Sequence, residues 1–108
     1  MTETTTVLVL GRLGSVVDDA MRDLRVPGVE ILTGTGLDDV RAAFAGDPPD
    51  HVVMGAGLDL EVRLAIVREV FTRSATTTVH LKDVASGPAG LLPFTRGVVR
   101  GLVEPPST

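Results

Sequence analysis

The tetrapeptide "HLKD" is the densest group of chemically capable side chains in this sequence, and it ends an apolar run. Alternation along a strand places His80 and Lys82 on one face and Val79 and Leu81 on the other. On that shared face His80 could act as a general base, and Lys82 could stabilise negative charge or hold an anion, with Asp83 beside them. The alternative is a structural role, in which His80 packs at the boundary of the strand and the two charged residues are solvated.

Two glycine-rich loops offer a different chemistry, which uses backbone N–H groups instead of side chains. Each loop joins an apolar strand to a helix, where converging N–H groups and the helix dipole favour a phosphate. The residues that we assign to such a phosphate cradle are Gly11, Arg12, Gly14, Gly55 and Gly57. Neither loop has the spacing of a dinucleotide-binding motif or a P-loop. The alternative is that these glycines only permit tight turns.

Residues that bind metals are not grouped in this sequence. Cysteine is absent, and His51 opens one strand whereas His80 lies towards the end of another, which predicts that the two histidines occupy opposite edges of a sheet. The acidic pairs at 18–19 and 38–39 fall where helices begin, and the helix dipole favours acidic side chains there. We therefore predict no metal site, and no cofactor other than a phosphate or nucleotide in the glycine loops.

Four apolar segments, each followed by glycine and then by a helical pattern, must position these residues. The predicted strands are 6–10, 29–33, 51–54 and 76–81, and helices are predicted at 16–25, around 37–44, at 60–73 and at 92–103. This alternation predicts an α/β fold, a three-layer α/β/α sandwich around a four-stranded parallel sheet in the order 2-1-3-4. Ligands bind outside the carboxyl ends of such strands, so both glycine loops and "HLKD" would meet at that edge.

The composition is that of one globular domain. The chain has 108 residues, of which 44% are hydrophobic, 22% charged and 3% aromatic, with a net charge of -4. The scattered basic residues and the scarcity of aromatic side chains argue against nucleic-acid binding, and no apolar run reaches the roughly 20 residues of a membrane span. We expect a single α/β domain over 1–108, with polar tails at 1–5 and 104–108, in the cytoplasm.

The third helix carries more apolar residues than one buried face needs. We assign one set, at helical spacing, to the core: Leu60, Leu64, Val67 and Phe71. A second set lies along another face and is expected to be exposed in part: Val62, Ile66 and Val70. An apolar surface of this kind is typical of a protein contact, so we predict a homodimer or another protein partner through the second set.

The order of elements resembles that of bacterial response-regulator receiver domains. Receivers have two acidic residues after strand one and a phospho-accepting aspartate at the end of strand three, often five residues after an earlier aspartate. Here "DHVVMG" aligns Asp50 with the earlier aspartate and Gly55 with the acceptor, and Gly11-Arg12 replaces the acidic pair. Lys82, the only lysine, resembles the lysine that ends the last strand of a receiver.

The resemblance implies a receiver-like module that has lost phosphotransfer, because glycine cannot accept phosphate and the magnesium-binding acids are missing. The chain also has one strand–helix unit fewer than the five of a receiver. Three functions follow in order of preference. The first is a non-enzymatic interaction module that acts as a homodimer, the second is the binding of a phosphate-bearing small molecule or nucleotide at the carboxyl edge, and the third is a small enzyme using His80 and Lys82.

Overall fold

The computed structural model describes residues 4–12, 14–22, 24, 26–83 and 90–103, so the tail residues 1–3 and 104–108 lie outside the described part. Four strands alternate with four helices along the chain. In chain order the elements are β1 (Thr5–Leu10), α1 (Gly14–Arg22), β2 (Val29–Gly34), α2 (Leu37–Ala43), β3 (His51–Met54), α3 (Leu60–Arg73), β4 (Thr78–Leu81) and α4 (Leu91–Val103).

The four strands form one parallel sheet in the order β2-β1-β3-β4, which confirms the predicted fold class and strand order. Val7 of β1 pairs with His51 of β3, and His51 pairs with Thr78 of β4. β1 and β3 are central, and β2 and β4 are the two edges. None of the described helices is long and apolar enough to cross a membrane.

Each face of the sheet is covered by two helices, because successive strand residues point to opposite sides. On one face α2 and α3 bury a cluster that includes Leu8, Leu10, Val52, Met54, Val40, Phe44, Ile66 and Val70. On the other face α1 and α4 bury a second cluster that includes Val7, Val9, Val53, Val17, Met21, Leu91 and Val99. The central strands are apolar on both faces for this reason.

Several element boundaries differ from the prediction by a turn or less. α1 begins at Gly14 and ends at Arg22, instead of spanning 16–25. β4 begins at Thr78 instead of residue 76, because the Ser74 hydroxyl accepts the backbone N–H of Thr76 and Thr77 and holds these residues in a turn. Such local hydrogen bonds compete with the strand ladder, and the strand pattern alone does not reveal them.

α3 has the predicted bounds, but the assignment of its two apolar faces is wrong. Ile66 and Val70 are fully buried against the sheet, whereas Leu60, Leu64 and Phe71 are 60%, 55% and 53% exposed. β-Branched side chains let the helix approach the sheet closely. A hydrogen bond from Arg41 of α2 to Glu69 of α3 joins the two helices and is consistent with this rotation of α3 about its axis. Ile66 and Val70 therefore cannot form the predicted contact surface, and of that set only Val62 is exposed, at 37%.

Candidate functional site

The carboxyl edge of the sheet is where the glycine loops and the end of β4 meet, as the topology requires. Three backbone N–H groups at this edge are already used by the sheet. Gly11 donates to the carbonyl of Gly34 (3.2 Å), Gly55 donates to Leu10 (2.8 Å), and Lys82 donates to Met54 (2.9 Å). These bonds extend the strand ladder by one residue beyond each strand. The N–H groups of Gly11 and Gly55 are therefore not free to bind an anion.

Gly11 is required by packing. A Cβ atom added there would lie closer than 3.0 Å to Cγ2 of Val17, a buried side chain of α1. The loop therefore brings α1 against the end of β1 at a distance that only glycine permits.

Gly55 is buried, and Gly57 is exposed but lies close to the β1–α1 loop on one side. A Cβ atom at Gly55 would lie 3.6 Å from Cδ1 of Leu91 and 3.9 Å from Cα of Gly11, which are ordinary contacts. A Cβ atom at Gly57 would lie 3.2 Å from Cβ of Arg12, which is tighter than most contacts. The β1–α1 and β3–α3 loops therefore pack against each other, with α4 placing Leu91 over Gly55.

Four of the five predicted cradle residues lie together in these two loops. Gly14 is the first residue of α1 and faces elsewhere, since a Cβ atom there would lie 3.5 Å from Cγ2 of Thr35 in the β2–α2 loop. Arg12 is exposed and is the only one of the five with a charged side chain. With the N–H groups of Gly11 and Gly55 donated within the sheet, Arg12 is the charged group that these five residues offer to a phosphate.

Lys82 lies at the predicted edge, but its ammonium group points to its own neighbour. The residue is 3% exposed, and its Nζ donates to the carbonyl of Asp83 (2.9 Å) and lies 4.0 Å from Oδ1 of the same residue. Among the described residues no hydrogen bond joins His80 to Lys82 or to Asp83. The polar atoms of His80 and Lys82 thus have different partners, Thr78 for His80 and Asp83 for Lys82.

The structure instead brings His80 next to His51, and this corrects the prediction that the two histidines lie at opposite edges. Their ring centroids are 6.3 Å apart, and the Thr78 hydroxyl bridges them, 2.6 Å from Nδ1 of His51 and 2.9 Å from Nε2 of His80. The physical reason is the register. His51 pairs with Thr78, so His80 is only two residues further along the same face of a four-residue strand.

Both histidines prefer the neutral state. Burial lowers the pKa of His80 below its ordinary value of 6.5. Burial is also the largest cause of the lowered pKa of His51; the nearby His80 lowers it further, and Asp50 opposes the shift. Within the described ranges no group of three or more histidine, cysteine, aspartate or glutamate side chains could hold a metal ion. The pair is therefore a hydrogen-bonded bridge between β3 and β4.

A groove of about 460 Å³ lies at the opposite end of the sheet, where β2 begins. The side chains that line it are apolar: Leu24, Val26, Pro27, Val29 and Ile31. These side chains offer no polar group that would orient a ligand or take part in a reaction.

The most distinctive surface of the described residues is apolar. Leu60, Leu64 and Phe71 lie within about 40° of one another around the axis of α3, and Glu69, which contacts α2, lies about 140–180° away. The exposed side chains therefore face away from α2, towards the β4 edge. Leu81 of β4 points to the same face of the sheet and is 45% exposed. We call Leu60, Leu64, Phe71 and Leu81, with the half-buried Val67, the α3 surface.

A contact surface on α3 stays a prediction, and the helix residues that face outwards had been assigned to the core. The spacing of four, three and four residues between positions 60, 64, 67 and 71 was the available signal, since it is the spacing of a helix-pairing seam. Comparison with protein-family models, curated proteins and solved structures found no match to this chain. The resemblance to receiver domains therefore stays a prediction from the sequence pattern.

Proposed function

We propose that this chain is a non-enzymatic, receiver-like interaction module that acts as a homodimer and does not transfer phosphate. The observation that carries the proposal is the α3 surface, where three large apolar side chains are more than half exposed on one flank of one helix. Isolated exposed apolar residues are normal, whereas a contiguous stripe is typical of a protein contact.

The spacing of the stripe favours a second copy as the partner. Residues at intervals of four and three lie along one line of a helix and pack into the same line of another helix. In an antiparallel pair related by a two-fold axis, Leu60 of one copy would contact Phe71 of the other, and Leu64 would contact Val67. The stripe is therefore complementary to itself, as a symmetric dimer requires.

The charges that border the stripe support the same arrangement. Glu61 and Arg68 are exposed on the solvent side of the stripe, seven residues and two helical turns apart. Neither forms an ion pair with another described residue, although Asp19, Asp38, Glu69 and Asp83 do. In the antiparallel pair Glu61 of each copy approaches Arg68 of the other, so opposite charges meet twice. In a parallel pair these charges of the two copies would lie on opposite sides of the seam and would not meet.

The two other functions have less support. Binding of a phosphate or nucleotide would need the N–H groups of Gly11 and Gly55, which are donated within the sheet. An enzyme built on His80 and Lys82 would need those side chains to face one reacting group, but His80 contacts Thr78 and Lys82 contacts Asp83.

The proposal is tested by thermal unfolding at several protein concentrations. Dissociation of a dimer makes the Tm rise with concentration, because only the folded chains associate. We expect this rise for the native chain and its loss in Leu64→Asp, which buries a charge in the seam. The matched control is Ala65→Asp, which adds the same charge to the neighbouring exposed position of the helix. A Tm independent of concentration in the native chain would refute the homodimer.

The same assay tests the phosphate alternative. Inorganic phosphate, AMP and ATP are added at millimolar concentration, and we expect no rise in Tm, because a ligand stabilises only a protein that binds it. A rise that is lost in Arg12→Ala would support the second function instead of the first.

A further inference from the structure

Among the described strands β4 forms one edge of the sheet, and the direction of its backbone hydrogen-bonding groups can be assigned. The N–H of Thr78 donates to Asp50 and the N–H of Lys82 donates to Met54, both towards β3. Backbone direction alternates along a strand, so His80 also faces β3. Val79 and Leu81 therefore direct their N–H and C=O groups outwards, away from the sheet. No other described strand lies on that side.

The β4 edge also lacks the protection that natural sheets usually give an edge. Proline, lysine and other charged side chains within an edge strand discourage pairing with another chain. β4 reads Thr-Val-His-Leu and has no such residue, whereas β2, the other edge, carries the exposed Glu30 near its start. Of the two edges, β4 is the one suited to strand addition.

We infer that the second copy pairs through β4 as well as through the α3 surface, so that two four-stranded sheets join into one continuous sheet of eight strands. This inference rests on the proposed homodimer and adds the register of the contact. The two β4 strands run antiparallel about a two-fold axis that passes between their His80 residues. Val79 of each copy lies opposite Leu81 of the other.

The register follows from the positions of the outward groups. His80 is midway between Val79 and Leu81. An axis at His80 therefore pairs Val79 of each copy with Leu81 of the other, and each of these two pairs forms two backbone hydrogen bonds between the strands. An axis at Leu81 would place Val79 opposite Asp83, beyond the end of the strand, and would face His80 with Lys82. If one β4 strand were shifted by one residue along the other, the outward N–H and C=O groups of Val79 and Leu81 would lie opposite residues whose own groups are bonded to β3.

The same two-fold axis also brings the α3 surfaces of the two copies to the same side of the joined sheet. A two-fold axis that joins two sheet edges in antiparallel fashion keeps both α3 helices on one face of the joined sheet and makes them antiparallel. That is the orientation that the seam and the Glu61 and Arg68 charges favour. Leu81 lies on the same face as α3, beneath the seam, so strand pairing and helix packing form one contact.

The absence of cysteine from the chain allows a direct test of this register. His80→Cys places two thiols opposite each other at a pair of residues that are not hydrogen-bonded to one another, where Cα atoms about 4.5 Å apart suit a disulfide. Under mild oxidation we expect a disulfide-linked dimer to form about tenfold faster than in Thr78→Cys, which is two residues from the axis. Glu30→Cys on the β2 edge serves as a second control. Equal rates in the three variants would overturn the inference.

The native chain provides a second test, in case the loss of His80 disturbs β4. Amide hydrogen exchange at Val79 and Leu81 is measured at low and at high protein concentration. We expect both amides to exchange about tenfold more slowly at the higher concentration, whereas the amide of Glu30, in the other edge strand, is unchanged. A Tm that depends on concentration together with fast exchange at Val79 and Leu81 would refute the register and leave the homodimer standing. A Tm that does not depend on concentration would refute both.

Discussion

Replacing Gly11 with alanine tests whether the glycine loop serves packing or ligand binding. The added methyl group would overlap Cγ2 of Val17, which is 1% exposed and has a restricted side-chain torsion in its helix. Overpacking of this kind costs about 1–3 kcal/mol. The lower entropy of the unfolded chain offsets about 0.4–1 kcal/mol of that cost. We expect Gly11→Ala to lower the free energy of unfolding by about 1–2 kcal/mol.

The assay is chemical denaturation monitored by circular dichroism, with Gly14→Ala, at the start of α1, as the control. A Cβ atom at Gly14 makes only an ordinary contact, 3.5 Å from Thr35, so this variant should be at least as stable as the native chain. Combining Gly11→Ala with Val17→Ala removes the overlapping methyl group. In that background Gly11→Ala should cost about 1 kcal/mol less than in the native chain.

Two results would refute the packing argument. One is native stability of Gly11→Ala. The other is a cost that is unchanged in the Val17→Ala background, since the strain would then lie elsewhere. If Gly11→Ala were fully stable and also abolished a Tm shift produced by phosphate, the phosphate-cradle interpretation would replace the present one.

Three further predictions follow from single residues. Thr95 is fully buried in α4 and its Oγ1 has no hydrogen-bond partner in the described part of the chain, so Thr95→Val should raise the free energy of unfolding by about 1 kcal/mol in the same denaturation assay. Because the pKa values of His51 and His80 are lowered in the folded chain, the unfolded chain binds protons more readily as the pH falls through 6.5, so stability should be present above that pH and decline below it. The fall in Tm between neutral and mildly acidic pH should therefore be smaller in His80→Gln than in the native chain. An equal fall in both would contradict a contribution of His80 to the pH dependence. Arg41→Ala should destabilise the chain modestly and raise the pKa of Glu69, observable by NMR titration, because its hydrogen bond is the main reason that this pKa is low.

The strand order could be predicted because several independent features of the sequence indicate the same fold. The central strands are apolar on both faces, a glycine lies at the end of each of the first three strands, and the helical stripes begin after a short loop. These features agree with each other. The edge at which "GRLGS" and "GAG" meet followed from the same pattern. The pattern could not predict which backbone N–H groups of these loops donate hydrogen bonds within the sheet. Gly11 and Gly55 extend the ladder by one bond, and that depends on where each strand stops.

The two errors have physical causes of their own. α3 carries two apolar stripes, and either would fit a core; the choice depends on rotation of the helix about its axis, which the contact between Arg41 and Glu69 helps to set. The distance between His51 and His80 depends on strand register, and in a sheet with two buried faces one apolar strand gives no signal for it. Besides the spacing of the stripe, the longer side chains at 60, 64 and 71 and the β-branched ones at 66 and 70 were a hint of the correct rotation.

Sedimentation equilibrium of the native chain over a hundredfold range of concentration tests the central claim most directly. The claim is that the α3 surface is a contact between two copies of the chain. It predicts a mass that rises from the 11.3 kDa of one chain to about twice that value as concentration increases, and a Leu64→Asp variant that stays at the lower mass. A native chain that remains at 11.3 kDa throughout the range would contradict the claim.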